Sequence, residues 1–302
     1  MSNNKEITMK IIERLKKDLN TKEIEYFEVE KLNNEEKYGI RISFMNPSPT
    51  FYTSDLLKEG KKEKDIIKFI KEEIKNTKEF NPDIIEHYED IKNSIYPLFL
   101  SKELNNEERL SDLIHYEHED LIVIFYISLE IKEGLKGSVK ITKSLLKSWN
   151  KTTSDIKDQA FKNIKGKTYF GHIFDALKNN SLYHVNEYTD EEELRYRLFN
   201  EQSPDFEMYT LTNDSKYYGN GVLANIEFLD MLHEVIGDYW IIPSSLHEVI
   251  IVKKQENDEI EKLKKIIKEI NDNEVEIKDR FSYNLYDYGY IKDFMIFNSL
   301  QN

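Results

Sequence analysis

The chain has no cysteine at all. That excludes disulfides, thiol nucleophiles, thiolate-bound zinc and iron–sulfur clusters together, although it does not by itself fix a compartment. Long apolar runs are missing too. The longest, Leu121 to Leu129, is interrupted only by Ser128 and falls far short of the roughly 20 residues needed to span a bilayer. The opening Met1-Ser2-Asn3-Asn4-Lys5-Glu6 has no apolar core of the signal-peptide kind. The expectation is therefore a cytoplasmic protein with no membrane contact.

Basic clustering is a third absence. The net charge is −14, and nothing like the one-sided Lys/Arg face of a duplex-binding protein is present; direct nucleic-acid binding is disfavoured. Two stretches carry most of the charge. Ser101 to Glu133 has nine acidic and three basic residues, and Tyr183 to Met208 has eight and two. A basic protein partner is one counterpart they could face, but a solvated acidic surface is the commoner reading. Arginine is scarce as well, at 6 against 37 lysines. This composition fits an AT-rich genome, and the lysine–glutamate runs then read as solvated faces.

What is present is enough for a folded protein. A chain of 302 residues buries about three-quarters of its unfolded surface, so no metal or staple is needed. Its 19 Tyr, 16 Phe and 2 Trp are what disordered chains lack. The pattern predicts an α+β fold of small antiparallel sheets, each packed with helices, in two to three modules side by side.

The first module, residues 1–93, reads α-β-β-β-α-α. Ile7, Ile11, Leu15 and Leu19 mark a helix. Ile24–Lys31 and Tyr38–Phe44 alternate as a hairpin turning at Asn33-Asn34. Pro47 and Pro49 end it, and Thr50–Thr53 is a third strand. Ser54 or Asp55 caps a short helix stopped by Gly60, and Ile66, Ile67, Ile70 and Ile74 define a longer one.

The second module, residues 94–166, is strand-rich. Ile95–Leu100 is a strand. Leu121–Glu130 is apolar on both faces, as a central strand should be. Ser138–Thr142 pairs with it through Gly134 and Gly137, and two helices follow with Leu145, Leu146, Trp149 and Ile156, Ala160, Ile164.

The third module, residues 167–302, starts with a short helix at Gly171–Leu177 and another at Asp190–Asn200 capped by Thr189. Met208–Thr212 is a strand, and Ile226–Ile236 a helix ended by Gly237. Tyr239–Ile242 and Val249–Val252 are strands, Asn257–Ile270 is an amphipathic helix, and the aromatic tail Phe281–Phe297 packs.

Several segments together carry a resemblance: Ser48-Pro49-Thr50-Phe51-Tyr52, the run Val139 to Trp149, Met208-Tyr209-Thr210-Leu211-Thr212-Asn213, and Gly237 to Ile250 with its Pro243-Ser244-Ser245-Leu246-His247-Glu248-Val249 core. The chain resembles the bacterial domain-of-unknown-function family 5688 over nearly its whole length. Tyr183–Phe206 departs from the pattern as an acidic insertion. The resemblance implies a fold and a bacterial cytoplasmic setting, of the kind found in low-GC gut bacteria, and carries over no catalytic residues.

Pro243–Glu248 is also the segment with the most chemistry in the fewest residues. It places Ser244 and Ser245, an imidazole (His247) and a carboxylate (Glu248) within reach of each other, the ingredients of nucleophilic hydrolysis. As a strand, Ser245 and His247 share a face; as a helical turn, Ser244 approaches His247 and Glu248. Against this, serine after proline closes turns through the backbone, and the glycine elbow of a hydrolase serine is missing.

Other motifs fall short. His233-Glu234 and His247-Glu248 lack the second histidine of a zinc-protease helix. His115-Tyr116-Glu117-His118-Glu119-Asp120 is rich in metal-ligating groups but reads as a solvated loop. Gly219-Asn220-Gly221 is too short to cradle a phosphate and reads as a tight turn, and the acids at 190–193 complement a helix dipole. No metal, cofactor or small-molecule substrate class emerges. A non-enzymatic accessory or protein-interaction protein is the favoured expectation, with a small hydrolase using Ser244 or Ser245, His247 and Glu248 as the alternative.

Overall fold

The computed structural model describes residues 3–45, 48–76, 82–105, 107–132, 135–179, 182–186, 188–199 and 208–299. Pro47, Gly134, Glu187 and the 200–207 part of the expected acidic insertion lie outside them. The fold is α+β, built of antiparallel sheets and helices. It divides into two compact units, Met1–Glu86 with Ile131–Gly134, and His87–Glu130 with Leu135–Asn302. The first unit ends at residue 86, and residues 94–130 and 135–302 fall in the second.

In the first unit α1 (Asn3–Leu19) precedes β1 (Ile24–Glu30), β2 (Glu36–Ile42), β3 (Thr50–Phe51), α2 (Thr53–Lys58) and α3 (Glu63–Asn76). The strands form one antiparallel sheet in chain order, with Ile24 opposite Ile42 and Tyr26 opposite Ile40. Ile11, Ile12 and Leu15 of α1 and Ile66, Ile70 and Ile74 of α3 bury against Ile24, Ile40 and Ile42. Both hairpin asparagines, Asn33 and Asn34, take the left-handed conformation (φ 59° and 55°) that asparagine tolerates best after glycine. At α2 the N-cap is Tyr52, with no side-chain cap bond, so neither Ser54 nor Asp55 plays that part.

In the second unit α4 (Tyr88–Ile91), β4 (Ile95–Ser101), α5 (Glu107–Leu110), β5 (His115–His118), β6 (Leu121–Lys132), β7 (Leu135–Lys140), α6 (Lys143–Ser148) and α7 (Thr153–Lys165) come first. β6 lies centrally, between β4 and β5 and also paired to β7, as its two apolar faces require. The rest comprises β8 (Thr168–His172), α8 (Ile173–Asn179), β9 (Tyr183–Val185), α9 (Glu191–Phe199), β10 (Met208–Asn213), α10 (Ile226–Ile236), β11 (Tyr239–Ile242), β12 (Glu248–Lys253), α11 (Ile260–Glu274), β13 (Tyr286–Asp287) and α12 (Tyr288–Ser299). Its strands make a second sheet in the order β13-β11-β12-β10-β8-β9.

Three local readings change. Gly171 and His172 end a strand, and the helix begins only at Ile173. The cap of α9 is Asp190, whose Oδ1 accepts the Glu193 amide at 2.8 Å, while the Thr189 hydroxyl is taken by the Asn186 amide and Tyr183. His115–His118 is a strand ending in the two-residue turn Glu119-Asp120, rather than a loop.

The two sheets of this unit are joined by Gly219–Ala224, a fully buried 3-10 turn. Asn220, 0% exposed, treats β4 as if it were a neighbouring strand: Oδ1 accepts the Phe99 amide at 3.3 Å and Nδ2 donates to the Phe99 carbonyl at 2.9 Å. Its own amide donates to the Leu246 carbonyl, just ahead of β12, at 3.2 Å. The flanking glycines allow this closeness. A Cβ on Gly219 would lie 2.0 Å from the His247 carbonyl oxygen, and one on Gly221 2.2 Å from that of Pro97.

The aromatic tail packs as expected, with Phe281, Tyr286, Ile291 and Phe294 buried. Asp287 caps α12 by accepting the Tyr290 amide at 2.8 Å, and its other oxygen holds Lys254 at 2.7 Å. Burial pushes the Asp287 carboxyl up, but the Lys254 ammonium and the backbone amides outweigh it and hold it below the usual carboxylate range.

Two outcomes follow. Asn220→Ala leaves two Phe99 backbone groups without partners at about 1–3 kcal/mol each, and Gly221→Ala adds about 1–3 kcal/mol of overpacking. Both should lower the urea midpoint with an unchanged slope. Asp287 has a depressed folded pKa, so its stabilisation is present above the unfolded value of about 4 and lost as pH falls through the folded value. Asp287→Asn should therefore be destabilised at neutral pH and converge on the wild type in acid, read by thermal unfolding across pH 2 to 7.

Candidate functional site

Pro243–His247 connects β11 to β12 and packs beside the Gly219–Ala224 turn. The Ser244 amide donates to the Ile242 carbonyl at 2.9 Å and the Ser245 amide to the Glu248 carbonyl at 3.2 Å. The Ser245 hydroxyl accepts the His247 backbone amide at 3.0 Å, the local turn that serine after proline favours. Leu246 is buried at 1% exposure, and its amide donates to the Asp279 carbonyl at 2.7 Å. The His247 carbonyl accepts the Thr212 hydroxyl at 2.6 Å. Glu248 opens β12 and pairs with Thr212 of β10.

The imidazole of His247 is engaged at both nitrogens. Nδ1 accepts the Tyr218 backbone amide at 3.2 Å, and Nε2 lies 3.1 Å from Asp279 Oδ1. An Nδ1 that accepts from an amide carries no proton, so the ring is the Nε2–H tautomer donating to Asp279. The ring also stacks on Tyr218, with centroids 6.0 Å apart and planes at 10°. A base needs a free lone pair toward the nucleophile; here that lone pair meets a main-chain N–H. Among the described residues no hydrogen bond joins the ring to Ser244 or Ser245. The geometry gathers Ser245, His247 and Glu248 into one corner through backbone bonds, without aligning their side chains as a relay.

Tyr218 takes part in the same corner from a strained position. It sits at φ 52°, in the left-handed region that costs a bulky residue of order 1–3 kcal/mol. Burial, followed by the neighbouring Tyr217, raises its phenol far above the ordinary value, so it stays protonated and is no base. Lys140 places its ammonium 4.1 Å from the Tyr218 ring centre.

The remaining histidines are occupied separately. His233 stacks on Tyr288 at 4.3 Å and reaches Asp238 at 3.0 Å. His115 and His118 stand three apart on a strand and so face opposite sides: Nδ1 of His115 meets the Leu113 carbonyl, and His118 lies against Phe297. Among the described residues no group of three His, Cys, Asp or Glu converges as a metal would need, and no helix is long and apolar enough to cross a membrane.

Sequence reading missed two constellations. Asp120, at the β5–β6 turn, accepts Asn284 Nδ2 at 2.5 Å, the Tyr286 hydroxyl at 2.7 Å and the Tyr290 hydroxyl. Burial first, and then the carboxylate itself, raise both phenols. The result ties an acidic turn to the start of α12. On α12, Tyr288 donates to Asp230 at 2.7 Å and receives Lys292 at 2.7 Å. The i,i+4 spacing of Tyr288 and Lys292 was the one local signal available. A cleft of about 530 Å³ borders Asp230 and Lys292, lined also by Phe161, Ala224, Ile226 and Met295. Burial and the bond to Asp230 keep the Tyr288 phenol raised, hence neutral.

The family model described as a family of unknown function, DUF5688, matches residues 4–289, and the chain belongs to that family. No curated protein and no solved structure matches it.

His247→Ala should leave the Tyr218 amide and Asp279 without their partner, lowering stability by about 1–3 kcal/mol, which is roughly 2–8 °C in melting temperature. Ser244→Ala should leave the melting temperature within about 1 °C, as expected where no side-chain bond is lost.

Proposed function

For this member of the family, we propose a non-enzymatic role as an accessory protein that binds a basic protein partner through the acidic connection between β4 and β6. A bacterial cytoplasmic setting belongs to the same reading and rests on the family resemblance. The observation that carries the proposal is a set of exposed carboxylates on a single connection, Glu103, Glu107, Glu108, Asp112, Glu117 and Glu119, of which Glu117 has Lys102 at 3.3 Å. Asp120 fixes the end of that connection through Asn284, Tyr286 and Tyr290, so the charges are offered on a pre-organised element and binding loses less entropy. Among the described residues, the other acidic region gathers its carboxylates at one helix start. Glu191, Glu192 and Glu193 occupy the first turn of α9, where they complement the helix dipole, and Glu193 pairs with Arg197 at 3.4 Å.

The test uses a lysine-rich peptide as probe, titrated at increasing salt. Glu103→Gln/Glu107→Gln/Glu108→Gln/Asp112→Asn should weaken binding at least tenfold at low salt and flatten its salt dependence. Glu191→Gln/Glu192→Gln/Glu193→Gln should weaken it less than twofold. Equal losses from both variants would mean that net charge alone is being read, and the proposed face would be wrong.

A second reading, a small hydrolase using Ser244 or Ser245, His247 and Glu248, draws its support from the carboxylate of Asp279 at 3.1 Å from His247, an acid–histidine pair of the orienting kind. It requires the Tyr218 amide to release Nδ1. Stoichiometric labelling of either serine by a fluorophosphonate, abolished in His247→Ala, is the result that would favour it over the binding role.

A further inference from the structure

Helix α11 is built in a way that its own unit does not explain. Ile260, Leu263, Ile267 and Ile270 follow an i, i+3, i+7, i+10 pattern, the seam spacing of paired helices. Only Ile267 and Asn271 are buried. Ile266 and Ile270, one step round the helix, remain 43% and 48% exposed, and Leu263 between them is half-buried. An apolar stripe therefore runs along one flank of α11, facing away from the side on which Asn271 donates to the Ser282 carbonyl.

The charges of α11 run against its own dipole. A helix is stabilised by acids in its first turns and bases in its last. Here Ile260–Ile266 holds Lys262, Lys264 and Lys265 against Glu261, a balance of +2, while Ile267–Glu274 holds Glu269, Asp272 and Glu274 against Lys268, a balance of −2. The last turn contains no base. Internal pairs such as Lys264–Glu261 at 3.6 Å and Lys265–Glu269 at 3.9 Å are long and exposed, and pairs of that kind contribute little. A polarity that costs the isolated helix becomes favourable when a second helix of the same sequence lies antiparallel to it.

We propose that α11 is a self-association face, on which a second copy of this chain docks its own α11 antiparallel about a two-fold axis near Ile266. The 100° step per residue puts Lys262 and Glu269 on the outer border of the stripe, three to four residues either side of Ile266. An antiparallel pair then sets Lys262 of each copy beside Glu269 of the other, twice by symmetry, while Leu263 and Ile270 interleave across the axis. A parallel pair would set Lys262 against Lys262 and Glu269 against Glu269. Ion pairs at the edge of an apolar helix seam set orientation in this manner. The chain carries −14 overall, so two copies repel at most approaches, and a face whose charges sum to zero is where they can meet.

Sedimentation equilibrium of the full chain over micromolar concentrations tests this, with thermal unfolding of each variant as the folding control. The wild type should pass from 36.1 kDa to twice that mass. Ile266→Asp should remove the dimer, and Lys262→Glu should weaken it at least tenfold by opposing two acids. Lys262→Glu combined with Glu269→Lys should restore it, since the swap keeps each cross-pair. All these side chains are exposed, so melting temperatures of dilute protein should stay within a few degrees. A wild type that remains monomeric overturns the proposal, as does a dimer indifferent to Ile266→Asp. A dimer lost in Ile266→Asp but equally strong in Lys262→Glu and in the double swap overturns the antiparallel order.

Discussion

The second unit depends on one side-chain amide acting as a stretch of backbone. Asn220 gives Phe99 both hydrogen bonds that a neighbouring strand would give, at a site with no access to water. In such surroundings the backbone groups of β4 must find partners or cost the unit their desolvation. Glycine on either side is the condition for this, since His247 and Pro97 place their carbonyls where side-chain carbons would otherwise stand. The four-stranded and six-stranded sheets meet at this three-residue contact and again where Asp120 accepts the Tyr286 hydroxyl of β13.

The Pro243–Glu248 corner makes sense as the other wall of that contact. Its useful groups are carbonyls: Leu246 receives the Asn220 amide and His247 receives the Thr212 hydroxyl. Its ring, tethered at both nitrogens, holds Tyr218 at the entry to the buried turn. A serine, a histidine and a glutamate in close succession thus serve as turn, tether and first strand residue. The strain at Tyr218 lies where the chain must bend sharply into a turn whose interior is closed to side chains. In the proposed reading, the surfaces that act are the acidic β4–β6 connection and the flank of α11.

Local patterning in the sequence was legible where local forces decide. Ile226–Ile236 with Gly237 as its stop matches the helix found there, because amphipathic spacing and a residue that tolerates φ 77° leave no competing reading. The hairpin at Asn33-Asn34 and the central place of β6 were equally readable, the first from turn chemistry and the second from apolar residues on both faces. One-residue choices were harder. Thr189 and Asp190 both suit an N-cap, and only the demand of Asn186 and Tyr183 on the threonine hydroxyl assigns the role to Asp190. Least legible were pairings across long separations. Asn220 finds Phe99 across 121 residues, and Asp120 finds Tyr290 across 170; neither leaves a periodicity. The same holds for His247, whose ring partners Tyr218 and Asp279 stand 29 and 32 residues away, so the segment showed its ingredients without their geometry.

The most direct measurement is the nitrogen-15 and proton correlation spectrum of the His247 ring, assigned by comparison with His247→Gln. The Tyr218 amide at Nδ1 and Asp279 at Nε2 predict an imidazole protonated at Nε2, with Nδ1 showing the shift of a hydrogen-bonded acceptor. A ring protonated at Nδ1, with Nε2 free as an acceptor toward a serine, would contradict it and return the corner to chemistry.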